Sequence, residues 1–201
     1  MKKILLCGLT LVSLLVTSCS NEPTKCSKED VVAAIKANSQ NEVPDFTTVT
    51  YSLKIDTLKI TGDNKTLVAQ VEAELEGLQV NLGEEYGDLE LKEGATASYS
   101  ISFSESGLEG EKMTESSLEL LGDATFYKGD GIYGVSYTVS SNLGSGNEMA
   151  LTTYAYYNEY NLPDSGAIDI SLKMTQDNDT VSLDYKVSVS IEYKWFILKE
   201  P

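Results

Sequence analysis

From Phe46 onward apolar residues recur at every second position, the period of a strand with one buried face. Val49, Tyr51, Leu53 and Ile55 alternate with polar residues, and the pattern resumes at Leu58 and Ile60 one step out of phase. The slip around Asp56 and Thr57 predicts a bulge or bend, because a one-residue shift turns every following side chain to the other face. Beyond Gly62-Asp63-Asn64-Lys65, Leu67, Ala69, Val71, Ala73 and Leu75 alternate with Gln70, Glu72, Glu74 and Glu76, which predicts a hairpin. Ala95, Ala97, Tyr99, Ile101 and Phe103 repeat the alternation, as do Tyr133, Val135, Tyr137 and Val139. Ile168, Ile170, Leu172 and Met174 lead through Gln176-Asp177-Asn178-Asp179 into a long last strand, Val181, Leu183, Tyr185, Val187, Val189, Ile191, Tyr193, Trp195 and Ile197. Seventeen residues of strand extend roughly 55 Å at about 3.3 Å per residue, so this strand has to curl or bend.

One segment carries a helical signature instead. Ser27 followed by Asp30 is a capping box with Asp in place of Glu, and Val31, Val32, Ala34 and Ile35 supply an apolar face to about Ala37, with Asn38 as the stop. Pro44 then breaks the chain into an extended segment. The expected fold is mainly β, a β-rich α+β chain. One N-terminal helix is followed by a long-stranded, strongly twisted antiparallel sheet, as a half-barrel or a sandwich. Residues 27–201 are expected to form a single domain. Residues 58–68 and 172–182 agree at six of eleven positions. The preference of Asp and Asn for tight turns accounts for this without a duplicated hairpin.

The stretch Met149 to Tyr157 departs from one-sided alternation. Met149, Leu151, Ala155 and Tyr157 point one way and Ala150, Tyr154 and Tyr156 the other. Such a strand is either covered on both faces or displays aromatic groups. Tyr154, Tyr156, Tyr157 and Tyr160 are therefore the candidate surface for a glycan, peptide or protein partner, since tyrosine combines a flat apolar face with a polar tip.

The first eighteen residues read as an export signal: Lys2 and Lys3, an apolar run from Ile4 to Val16, then small residues. That run is too short to span a bilayer, which takes about 20 residues. Val16-Thr17-Ser18-Cys19 resembles the lipobox of bacterial lipoproteins. The resemblance implies cleavage between Ser18 and Cys19, diacylglycerol on the Cys19 thiol and often a further acyl chain such as palmitate on its freed amine. Several acyl chains anchor firmly, each methylene contributing roughly 0.8 kcal/mol when buried. It also implies a cell-envelope location. Ser20, where retained inner-membrane members often have Asp, favours the outer membrane in a two-membraned organism; otherwise the outer face of the cell membrane is expected. Residues 19–26 are then a short tether.

Charge and missing residue types narrow the chemistry. Once Lys2 and Lys3 are removed, thirteen lysines face thirty-one acidic residues, a formal charge of −18 (13 − 31). That charge disfavours nucleic acid and anionic lipid heads. The chain has no His and no Arg. Catalytic triads that use histidine, imidazole zinc sites and bidentate phosphate clamps are thereby excluded. Cys7 leaves with the signal and Cys19 carries lipid, so Cys26 keeps the one thiol, with no intramolecular partner and no His to activate it. It is expected to pack against the first helix. Glu72, Glu74 and Glu76 read as the solvated face of a strand. Asp63, Asp177 and Asp179 offer oxygens to Ca²⁺, but no stretch matches an EF-hand loop, so neither a metal nor a cofactor is expected. The leading expectation is a membrane-anchored, non-catalytic binding or interaction protein. The alternatives are a carrier of a lipid or other apolar ligand in a curved-sheet groove and a carboxylate-dependent hydrolase.

Overall fold

The computed structural model describes residues 23–43, 46–76, 78–81, 87–176 and 181–197. In chain order the elements are β1 (Thr24–Cys26), α1 (Lys28–Asn38), β2 (Phe46–Gly62), α2 (Lys65–Leu75), β3 (Gln79–Asn81), β4 (Asp88–Glu90), β5 (Thr96–Ser102), α3 (Glu105–Glu111), α4 (Glu115–Glu119), β6 (Thr125–Lys128), β7 (Tyr133–Gly144), β8 (Asn147–Tyr157), β9 (Pro163–Gln176) and β10 (Val181–Ile197). The chain is mainly β. Eight strands form one antiparallel sheet in the order β1-β6-β7-β8-β9-β10-β2-β5, open and not closed into a barrel, and β3 pairs with β4. The signal segment, Ser18 and Cys19, Pro44, and Asp177 and Asp179 lie outside the described residues.

The long strands follow the alternation in the sequence. β10 spans the seventeen residues expected of it and pairs with both β9 and β2. Its register against β2 slips between Ser188 and Val189, where Thr57 and Ile55 are the partners and Asp56 is left out of the ladder. This is the bulge that the phase change at Asp56 and Thr57 requires. The helix after Ser27 also forms as expected. The Ser27 amide donates to Asp30 Oδ2 at 3.0 Å and the Asp30 amide donates to Ser27 Oγ at 3.2 Å, closing the capping box.

The hairpin expected after Gly62 does not form. Residues 65–75 are the helix α2, so the alternating set from Leu67 to Leu75 is not a strand and Glu72, Glu74 and Glu76 do not share a strand face. Asn64 accepts from the amides of Thr66 and Leu67 as the N-cap. Leu67, Val68, Val71 and Leu75 form one helical stripe, while Ala69 and Ala73, which complete the period-two pattern, are exposed. Ala, Leu, Glu and Gln also favour helix over strand. The match between 58–68 and 172–182 is therefore not a repeated hairpin. Two further short helices, α3 and α4, were not expected from the pattern.

The two faces of the sheet differ. Val31 and Ile35 of α1, Met113, and Leu118 of α4 pack on Tyr133 and Val135 of β7, with Cys26, Phe126, Ala155 and Tyr157 around them. Burying Val31 and Ile35 fully contributes roughly 1.5–3 kcal/mol each. A second cluster on the same face joins Ile55, Leu89 and Ala95, with Leu58, Leu91, Ala97 and Val189. Buried Asn161, held at a φ of +60° in the β8–β9 turn, ties the first cluster together. Its Oδ1 accepts from the Tyr133 hydroxyl at 3.0 Å, its Nδ2 donates to Ile35 O at 3.1 Å, and its carbonyl accepts from the Met113 amide at 2.9 Å.

Candidate functional site

The face opposite the helices carries short hydroxyl side chains. Thr48 and Ser102, Thr50 and Ser100, and Ser52 and Ser98 pair across β2 and β5 at 3.2, 2.7 and 3.0 Å. Thr138 and Thr152 pair across β7 and β8 at 2.9 Å. Three tyrosines interrupt this surface. Register places Tyr127 of β6 and Tyr156 of β8 on either side of Gly134, and Tyr154 opposite Ser136. The Tyr127 and Tyr156 rings meet edge-on, centroids 6.3 Å apart, and Ser136 Oγ donates to the Tyr127 hydroxyl at 3.3 Å. The Asp169 carboxylate lies beside Tyr154 and accepts from Ser188 Oγ at 2.6 Å. Burial, and then the Asp169 carboxylate, hold the Tyr154 hydroxyl above its ordinary pKa; for Tyr156 the causes are burial and then Tyr127.

The four tyrosines singled out in the sequence therefore separate. Tyr154 and Tyr156 stand on the hydroxyl face, where no helix among the described residues packs. Tyr157 turns to the helix side and stacks on Tyr133 with centroids 5.4 Å apart, inside the core. Tyr160 sits in the turn after β8, its amide donating to Asn158 Oδ1. Tyr127, which completes the group, was not singled out by the sequence. The signal near it is Gly134, its cross-strand partner, whose missing side chain leaves room for the Tyr156 ring that Tyr127 meets edge-on.

On the helix side, an apolar strip is left between the two core clusters. Val139, Leu151, Ile170 and Val187 form one cross-strand row that continues to Leu58. Val139 is 53% exposed and Ile170 39%. Thr153, between Tyr137 and Ile168 in the adjacent row, buries its Oγ1 with no hydrogen-bond partner.

Cys26 is half-buried and packs against the core below α1. Residues 24–26, read as the end of the tether, pair with β6 as the edge strand. Burial and then Asp30 push the Cys26 thiol up, against the lowering effect of Lys128, which works against thiolate chemistry. Asp63 accepts from Ser182 Oγ at 2.8 Å. Among the described residues no cluster of three or more His, Cys, Asp or Glu is placed to hold a metal, and no helix is long and apolar enough to cross a membrane. No family model, curated protein or solved structure matches this chain.

Proposed function

We propose that this chain is a membrane-anchored, non-catalytic binding protein of the cell envelope, held by lipid on Cys19, whose ligand is a neutral glycan seated on Tyr127, Tyr154 and Tyr156. The observation that carries this reading is the tyrosine group itself, three half-buried rings on a face that no helix among the described residues covers, bordered by Ser136, Asp169 and Ser188. Rings accept the C–H faces of sugars, and the surrounding carboxylate and hydroxyls match sugar hydroxyls, a combination of apolar platform and few polar groups common to ligand sites. With a net charge of −16 on the full chain, an uncharged polymer meets no repulsion. Affinity electrophoresis of the chain through gels carrying neutral polysaccharides tests this. At least one polymer is expected to retard it, and Tyr154→Ala with Tyr156→Ala to abolish the retardation. Retardation unchanged by the double substitution, or absent with every polymer, rejects the reading.

The exposed Val139 and Ile170 and the unpartnered Thr153 hydroxyl favour a second reading, carriage of an apolar ligand along the helix side of the sheet.

A further inference from the structure

Both ends of α2 are tied down, the start to β10 and the stretch past its end to the residue after β4. At its start the Asp63 amide donates to Ser182 O at 3.2 Å and Ser182 Oγ to Asp63 Oδ2 at 2.8 Å. Past its end the Leu78 amide donates to Leu75 O at 3.1 Å and the Leu91 amide to Leu78 O at 2.7 Å. Between these ties no residue of α2 is fully buried. A helix laid on a sheet ordinarily buries its apolar stripe. A groove of about 420 Å³ runs along the other side of the helix, lined there by Ala69, Ala73 and Leu75, floored by Leu58, Ile60 and Leu91 and bordered by Glu72, Glu76 and Glu93. That volume falls within the roughly 300–1,000 Å³ of small-molecule sites.

The floor is continuous with the exposed strip. Leu58 ends the row Val139, Leu151, Ile170, Val187, and Ile60 ends the row Met149, Leu172, Tyr185. An apolar chain lying along these rows enters the groove and brings its head to the carboxylates. The one lysine lining the groove, Lys92, is paired with Glu90 at 2.6 Å. An anionic head would meet three carboxylates in a chain of net charge −16, whereas a cationic head is attracted by them. We infer that the groove between α2 and the sheet binds a cationic amphiphile, its apolar tail on Leu58 and Ile60 and its head between Glu72, Glu76 and Glu93. This rests on the carrier reading of the helix side and is independent of the tyrosine face.

The test is calorimetric titration of the full-length chain carrying Cys19→Ser with dodecyltrimethylammonium, dodecanoate and dodecyl maltoside below their micelle concentrations. The cation is expected to saturate one site at least about tenfold more tightly than the other two, with the margin shrinking as salt screens the carboxylates. Glu72→Gln, Glu76→Gln and Glu93→Gln together, all at exposed positions, should erase that margin while leaving maltoside binding in place. Ala73→Trp, which fills the groove, should abolish binding. Equal binding of the three amphiphiles overturns the cationic assignment and leaves the carrier reading standing. Absence of binding by all three, with no apolar molecule in an organic extract of the purified chain analysed by mass spectrometry, overturns both.

Discussion

Gly134 shows how one position organises the candidate surface. A methyl group built on it lies 2.4 Å from Cδ1 and 2.6 Å from Cε1 of Tyr156, and 3.1 Å from Ala155 O. The ring rests where any other side chain would stand, a cross-strand pairing that rewards glycine despite its cost inside a strand. Gly134→Ala forces the Tyr156 ring off the sheet and should destabilise the chain by about 1–3 kcal/mol. The check is a lower urea midpoint at unchanged m-value, together with weaker retardation by any polysaccharide the parent binds. A glycine inside the strand pattern was visible in the sequence. Which ring covers it depends on the register of β7 against β8.

Among the elements, α1 was legible because its start is decided within four residues, Ser27 and Asp30 each satisfying the other's backbone amide. The long strands were legible because one buried face imposes a period of two over many residues. α2 was misread because apolar residues at 67, 71 and 75 satisfy both periods, and the alanines at 69 and 73 completed the false one. α3 contains Gly107 and Gly110 and α4 has five residues, so neither carries enough periodicity to be read. The shallow seating of α2 has a dynamic consequence, since a helix with no buried residue opens locally at less free energy than a central strand. Amide exchange over residues 65–75 should be at least about tenfold faster than in the paired stretches of β2 and β10, and should slow when a ligand occupies the groove. Equal protection in hydrogen-exchange mass spectrometry refutes this.

At the scale of the whole molecule, the helix side of the sheet buries tyrosine rings. Burial, followed by Tyr193, Glu111 and Tyr137, pushes the Tyr157 hydroxyl up to about 12, and burial also raises Tyr133 and Tyr193. In the unfolded chain tyrosine ionises near 10. Between these values the unfolded state has lost a proton that the folded state still holds, so unfolding is favoured increasingly as pH rises. Stability is unaffected by Tyr157 below about pH 10 and falls between about pH 10 and 12, by roughly 2–3 kcal/mol for this residue. Urea midpoints measured from pH 8 to 12 should show the drop, and Tyr157→Phe should make it shallower. An identical pH profile for the variant would exclude Tyr157 as the cause.

Short-range physics set the capping box at Ser27, the strand periodicity, the bulge at Asp56 and the length of the last strand, because each depends on neighbours a few residues away or on one buried face. Composition set the chemistry that is missing, since a chain without His or Arg cannot acquire their reactions by folding. The tertiary structure alone decided that β2 lies between β5 and β10, that the helices pack on one face of the sheet, and that Tyr127 joins Tyr154 and Tyr156 while Tyr157 enters the core. These outcomes depend on which distant segments meet, and alternation along a strand is the same whichever of its faces another element comes to cover.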